Sequence, residues 1–219
     1  IGVRLVGSEM CIRDRENTDI KLIETYVQSR LDWKVIKKVN ESIISGSQMI
    51  LKEDGQIIDT RKNTSWNSKI EDVSHTEMME VMFINSIVPT KLSTELKPLL
   101  QKAVVKNGKA FIINVTSPEG KFDLEYQKPN QHTHTNMAKA ALNMFTLSCG
   151  SDWSKDKIYM SAVDPGWVSN MQPLGFRLNQ PPLTEDQGAS RIIHPIVHYL
   201  NTDDGLYGCF LQHFEKVSF

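Results

Sequence analysis

Cysteine is scarce in this 219-residue chain: Cys11, Cys149 and Cys209 are an odd number and have no metal-ligand spacing. They fit buried or inert thiols in a reducing compartment. No apolar stretch is long enough to span a bilayer. Charge of one sign is also lacking, since 25 Lys and Arg against 26 Asp and Glu leave a formal net charge of -1. There is thus no basic footprint for nucleic acid and no Lys/Arg run to mark a membrane surface. No segment reads as a signal peptide, which makes the cytosol the expected compartment. Internal repeats and low-complexity tracts are absent as well.

What remains is ordinary globular material. Hydrophobic residues make up 40% and charged residues 23% of the chain, and the length suffices for one α/β domain with a substantial core. Residues 1–15 read differently from the rest. The string Leu5-Val6-Gly7-Ser8-Glu9-Met10-Cys11-Ile12-Arg13-Asp14-Arg15 resembles the translation of a sequencing-adapter read-through, so residues 1–15 are expected to be foreign and 16–219 to be the domain. The other reading is a short strand (Ile1, Val3, Leu5) followed by a charged loop.

From residue 16 the periodicity becomes informative. Ile20, Ile23, Val27, Leu31, Val35 and Val39 fall at three- and four-residue steps, the pattern of an amphipathic helix over 20–39. Residues 40–67 are polar and carry Gly46 and Gly55, as loops or hairpins do. Ser74-His75-Thr76-Glu77 has the form of a capping box and leads a long apolar helix over 78–100 that Pro89 must kink. Met78, Met79 and Met82 sit on that helix at core or subunit-interface spacing. Ala110-Phe111-Ile112-Ile113-Asn114-Val115 is a buried strand. A helix follows from about His132 to Cys149, with Gly150 as its C-cap. Residues 157–163 form a second buried strand that ends at Asp164-Pro165-Gly166. Thr184-Glu185-Asp186-Gln187 is another capping box before a helix through Ile192, Ile193, Ile196 and Leu200, and 206–211 is a last strand. Helix, strand, helix, strand, helix, strand is the order of a parallel sheet covered on both faces.

Four motifs in this order carry chemistry. They are Phe83-Ile84-Asn85-Ser86, Asn114-Val115-Thr116-Ser117-Pro118, Thr135-Asn136-Met137-Ala138-Lys139 and Val163-Asp164-Pro165-Gly166-Trp167-Val168. Lys139 follows Ser117 by 22 residues. Over roughly 65–214 this pattern resembles the short-chain dehydrogenase/reductase family. The fold implied is the C-terminal portion of a Rossmann-type, doubly wound parallel sheet. The resemblance implies that Asn85 helps hold a water relay, that Ser117 binds the substrate carbonyl and that Lys139 binds the nicotinamide ribose. It places Asn114, Pro165, Gly166, Trp167 and Val168 beside the nicotinamide of an NAD or NADP cofactor. The strings HTHTNMAKAALNM and VDPGWVSNMQP, with Asn63-Thr64-Ser65-Trp66, look like a divergent branch in which His-x-His-Thr-Asn-Met-Ala-Lys replaces Tyr-x-x-x-Lys. The tail, Asn201-Thr202 and Tyr207-Gly208-Cys209-Phe210-Leu211, fits that branch.

Two departures bear on mechanism. Thr135 stands where the family keeps its tyrosine. Carbonyl reduction needs an acid near the working pH, and an aliphatic hydroxyl is far weaker than a phenol of pKa about 10. His134 titrates in the right range when unperturbed and is the candidate acid, although it is one residue out of register. The preferred reading is that His134, like His132, is a loop residue that caps or lines the helix entry. Tyr126, in the preceding loop, is a further candidate. The second departure is the family's Gly-x-x-x-Gly-x-Gly turn, which lets a pyrophosphate approach bare backbone. The only glycines before Asn85 are Gly2, Gly7, Gly46 and Gly55, without that spacing. The front half of the fold is therefore expected to be missing, and this fragment to be inactive. Asp123 and Glu125 imitate a carboxylate pair but read as solvated loop, and no metal site is expected.

The resulting expectation is an NAD(P)-dependent oxidoreductase acting on a small carbonyl or alcohol in the intact parent. The alternative is a non-catalytic dinucleotide-binding or assembly protein. Family members associate through the helices corresponding to 77–100 and 136–149, so a homo-oligomer is expected.

Overall fold

A computed structural model describes residues 64–123, 128–168 and 181–219. All of them belong to one compact unit, Asp59–Phe219. The readings made for residues 1–63, including the foreign segment, the 20–39 helix and most of the 40–67 loop, lie outside the described residues. So do Glu125, Tyr126 and the end of the VDPGWVSNMQP string.

The first helix, α1, spans His75–Met82, and Ser74 caps it by accepting from the Glu77 backbone N–H at 3.1 Å. The interruption expected at Pro89 begins earlier, as a π-helical turn over Phe83–Ile87. Helix α2, Val88–Asn107, then carries Pro89 in its first turn, where a missing N–H is tolerated. Gly108 ends it in the left-handed conformation at φ 81°, which a side chain would resist.

Strand β1, Ala110–Val115, pairs in parallel with β2, Ile158–Val163, from Ala110↔Ile158 to Val115↔Val163. Its alternation sends Ala110 and Ile112 into a core with Trp153 and Met160, while Phe111 meets Tyr199 on the opposite face. Strand β3, Phe210–Gln212, continues the parallel sheet beside β2. A fourth strand, β4, Glu215–Val217, folds back antiparallel to β3. The sequence pattern predicts only three strands, because no Asn-Gly or Asp-Gly marks this hairpin. Its turn instead holds His213 and Phe214 at φ 52° and 70°, with Phe214 lying over Arg191 and against His194.

Helix α3 spans Thr133–Ser154, longer than expected. Gly150 is no cap. A Cβ there would stand 2.5 Å from the Gly208 backbone N, so this glycine lets α3 pass close to the chain entering β3. Helix α4, Glu185–Thr202, starts on a complete Thr184/Gln187 capping box. Among the described residues no helix is long and apolar enough to cross a membrane.

Replacing Gly150 with Ala gains helix propensity of roughly 1 kcal/mol, but the contact at Gly208 is with backbone and cannot yield cheaply. Gly150→Ala should therefore lower stability by about 1–3 kcal/mol net, read as a reduced urea midpoint.

Candidate functional site

Parallel pairing in register brings the carboxyl ends of β1 and β2 to one level. There the loops that follow both strands begin, the usual ligand position in open α/β sheets. Thr116 N–H donates to the Val163 carbonyl at 2.9 Å and Asp164 N–H to that of Leu211 at 2.9 Å, extending the sheet by one residue on each strand. Ser117 leaves β1 in extended conformation and opens a 3-10 turn, Pro118–Gly120. After β2, the buried Asp164 closes a tight turn by accepting from Gly166 N–H at 2.7 Å and from Gln212 Nε2 at 3.2 Å. Burial raises the Asp164 carboxyl above the usual range, opposed by those two hydrogen bonds. Gly166 has φ 76°, and a Cβ there would overlap Leu183 Cδ1. Trp167 is exposed beside it, and Val168 packs on Gly188 of α4.

The first turns of α3 complete the constellation. Lys139 Nζ donates to the Val115 carbonyl at 3.1 Å, and burial lowers its pKa from the ordinary lysine value. An ammonium has three N–H donors, so two remain for other partners. Thr135, one turn earlier on the same face, donates its hydroxyl backwards to the His132 carbonyl at 2.6 Å. His132 itself sits at φ 41°, stacked on Trp66 at 4.8 Å, with Nδ1 3.0 Å from Asn136 Oδ1.

His134 points the other way. It is 0% exposed, and its Nε2 lies 3.4 Å from Glu77 Oε1, which also accepts from Ser65 Oγ. Neither ring nitrogen is aligned for a hydrogen bond. His134 therefore couples α3 to α1, and no ring atom opens onto solvent. Asn85 lies in the π turn, which packs on α3; its Nδ2 donates to the Val81 carbonyl at 3.1 Å. Pro89 has no N–H to offer the Asn85 carbonyl four residues back. Asn114 is buried and donates to Thr146 Oγ1 at 2.9 Å, so its amide braces β1 against α3.

The structure sets Lys139 on the Val115 carbonyl, two residues before Ser117, and starts the Asp164–Trp167 turn after the strand paired with β1; it turns His134 and the Asn114 amide inward. Three features carry little signal in the sequence: the carboxylate role of Glu77 beyond capping, the orphaned Thr116 hydroxyl buried beyond β1, and the contact between Gly120 and Asn143. Only the apolar flanks of Asn143 hinted at burial. An open groove of about 570 Å³ runs between the 3-10 turn and α3, lined by Gly120, Phe122, Lys128, Asn136 and Met137. None of Ser117, Thr135, Lys139 or Gly166 lines it, so it adjoins the constellation without containing it. Among the described residues no cluster could hold a metal ion.

Residues 42–173 match the family of short chain dehydrogenases, and the chain belongs to it. An uncharacterised protein of Acanthamoeba polyphaga mimivirus is 30% identical over 153 residues, covering 65% of this chain and 32% of that protein. The chain thus spans about a third of the length of this curated relative. Among solved structures, the carbonyl reductase Sniffer of D. melanogaster is similar at a TM-score of 0.58 and 20% identity, over 85% of this chain and 72% of that one. The NADPH-bound carbonyl reductase from chicken fatty liver matches at 0.52 and 21%, over 94% and 85%. A short-chain dehydrogenase/reductase of Burkholderia multivorans with bound NADP matches at 0.51 and 22%, over 74% and 63%. At these identities the likeness is one of fold.

Burial penalises the charged form of Lys139 in the folded chain only. The penalty is full below its lowered folded pKa and vanishes as pH rises to the unfolded value of about 10.4. Lys139→Met should therefore stabilise the fold at neutral pH, and the gain should fade as pH approaches 10.4 in urea titrations.

Proposed function

We propose that the protein is an NAD(P)-dependent oxidoreductase that moves a hydride between the nicotinamide and a small carbonyl or alcohol. The observation carrying this reading is the half-buried Lys139 ammonium, held at the Val115 carbonyl with two N–H groups unused, beside the strand end from which Ser117 leaves. The described residues fit the nicotinamide-ribose half of such a cofactor. Lys139 would bind the ribose hydroxyls. Pro165, Gly166, Trp167 and Val168 would form the wall beside the ring, and the unpartnered Thr116 hydroxyl offers a further polar contact. Asn114 supports this wall from behind through Thr146.

When bound, the cofactor supplies or accepts the hydride. The chain must orient the carbonyl and handle one proton. Ser117 Oγ polarises the substrate oxygen. Thr135 sits at the acid's place in the family pattern, but its proton is committed to the His132 carbonyl. His134 faces Glu77 and acts only through the helix it anchors. Lys139 Nζ is left to hold the proton that reaches the oxygen, with the water relay that the family pattern assigns to Asn85. The unpaired thiols Cys149 and Cys209 accord with a cytoplasmic protein. The exposed Met137, Met144 and Leu147 along α3 offer a face for a second copy.

The Thr135–His132 hydrogen bond also favours a second reading, a dinucleotide-binding protein that has lost its acid. Fluorescence titration with NADH and NADPH, followed by a screen of aldehydes, ketones and alcohols, separates the two. The oxidoreductase reading predicts turnover that Ser117→Ala lowers by about 10²–10³-fold with binding retained. Tight binding without turnover establishes the alternative.

A further inference from the structure

We propose that Gly120 and Asn143 form a clamp that fixes Ser117 relative to Lys139, with Asn143 as a positioning residue for that pair. The proposal rests on the oxidoreductase reading for its purpose, though not for its geometry.

Asn143 lies one turn beyond Lys139, on the same face of α3, and is 3% exposed. Its Nδ2 donates to the Gly120 carbonyl at 3.1 Å. Gly120 lies so near the helix that a Cβ would stand 2.8 Å from the Lys139 carbonyl carbon and 2.9 Å from both Lys139 Cβ and Asn143 Nδ2. A helix backbone cannot move aside, so only glycine allows this approach. Gly120 N–H donates to the Ser117 carbonyl at 3.1 Å, which links the clamped residue to Ser117 through one closed turn. At the other end of the loop, Lys139 Nζ holds the Val115 carbonyl. The segment 115–120 is thus pinned to α3 at both ends, with Ser117 between the pins.

The remaining atoms argue against simple packing. Asn143 Oδ1 is buried without a hydrogen-bond partner, an unfavourable state that an alanine or leucine would avoid. A polar side chain kept there is explained by the one bond it donates. The seat of Gly120 against Lys139 also keeps water from the lysine stem, in line with the lysine's lowered pKa.

The test uses the whole chain with its lysines reductively methylated with ¹³C-formaldehyde, Lys139 being assigned by its loss in Lys139→Arg. Asn143→Ala and Gly120→Ala attack the clamp from its two sides, and Asn143→Asp keeps the side-chain volume while removing the donor. Ser154→Ala serves as a control that removes a side-chain hydrogen bond at the far end of α3. In the clamp variants, Lys139 should titrate closer to an ordinary lysine than in the wild type, and in Ser154→Ala it should not move. With 4-nitrobenzaldehyde and NADPH, kcat should fall about 10- to 100-fold in the clamp variants. If Lys139 titrates as in the wild type in any clamp variant whose circular dichroism is native, the clamp is refuted even where turnover is present. If the lysine moves but the wild type reduces no aldehyde and oxidises no alcohol, the clamp stands and the oxidoreductase reading falls.

Discussion

The in-register parallel pairing of β1 with β2 is the constraint on which the rest depends. Because Val115 and Val163 finish opposite one another, the loop carrying Ser117 and the turn carrying Gly166 start at the same height. Helix α3 must then cross close enough for Lys139 to reach Val115, and Gly120 and Gly150 are the positions where a side chain would prevent it. A slip of one residue in the pairing would exchange the faces of β1. Asn114 would then leave Thr146, and the Val115 carbonyl would leave the lysine.

Stability is conceded around this point. Lys139 is half-buried without a carboxylate partner among the described residues, Asp164 is a carboxyl raised by burial, and Thr116 and Asn143 each hold a buried polar atom without a hydrogen bond. Fold maintenance alone would favour apolar substitutes for such groups. Such groups beside the carboxyl ends of two parallel strands accord with the proposed site, since functional sites are where local consistency is given up. His134 illustrates the difference between a residue at the site and one beside it. It adjoins Thr135 in sequence, yet the 100° step of a helix sends it to Glu77 in α1.

Much of this was legible in the sequence. The β1 boundaries, the α4 capping box and the order of helices and strands follow from periodicity and caps, and the family pattern from Asn85, Ser117, Lys139 and the Pro165-Gly166 turn. What was not legible depends on contacts distant in the chain. Gly150 looks like a helix terminator until Gly208 is found against it. The β3–β4 hairpin lacks turn residues because Phe214 is held by Arg191 and His194. Glu77 satisfies a capping pattern on paper, while its carboxylate serves Ser65 and faces His134. Asn143 reads as one more polar residue on a helix until the 3-10 turn lies on it.

The central claim is that the carboxyl ends of β1 and β2, with Lys139, form a nicotinamide-ribose site. A crystal structure of the 219-residue chain grown with NADPH tests it most directly. The account predicts ribose hydroxyls at about 3 Å from Lys139 Nζ, with the nicotinamide ring against Pro165–Trp167 and one face towards Ser117. A nicotinamide bound elsewhere on the chain, or a lysine that keeps the Val115 carbonyl while the ribose lies beyond its reach, would contradict it.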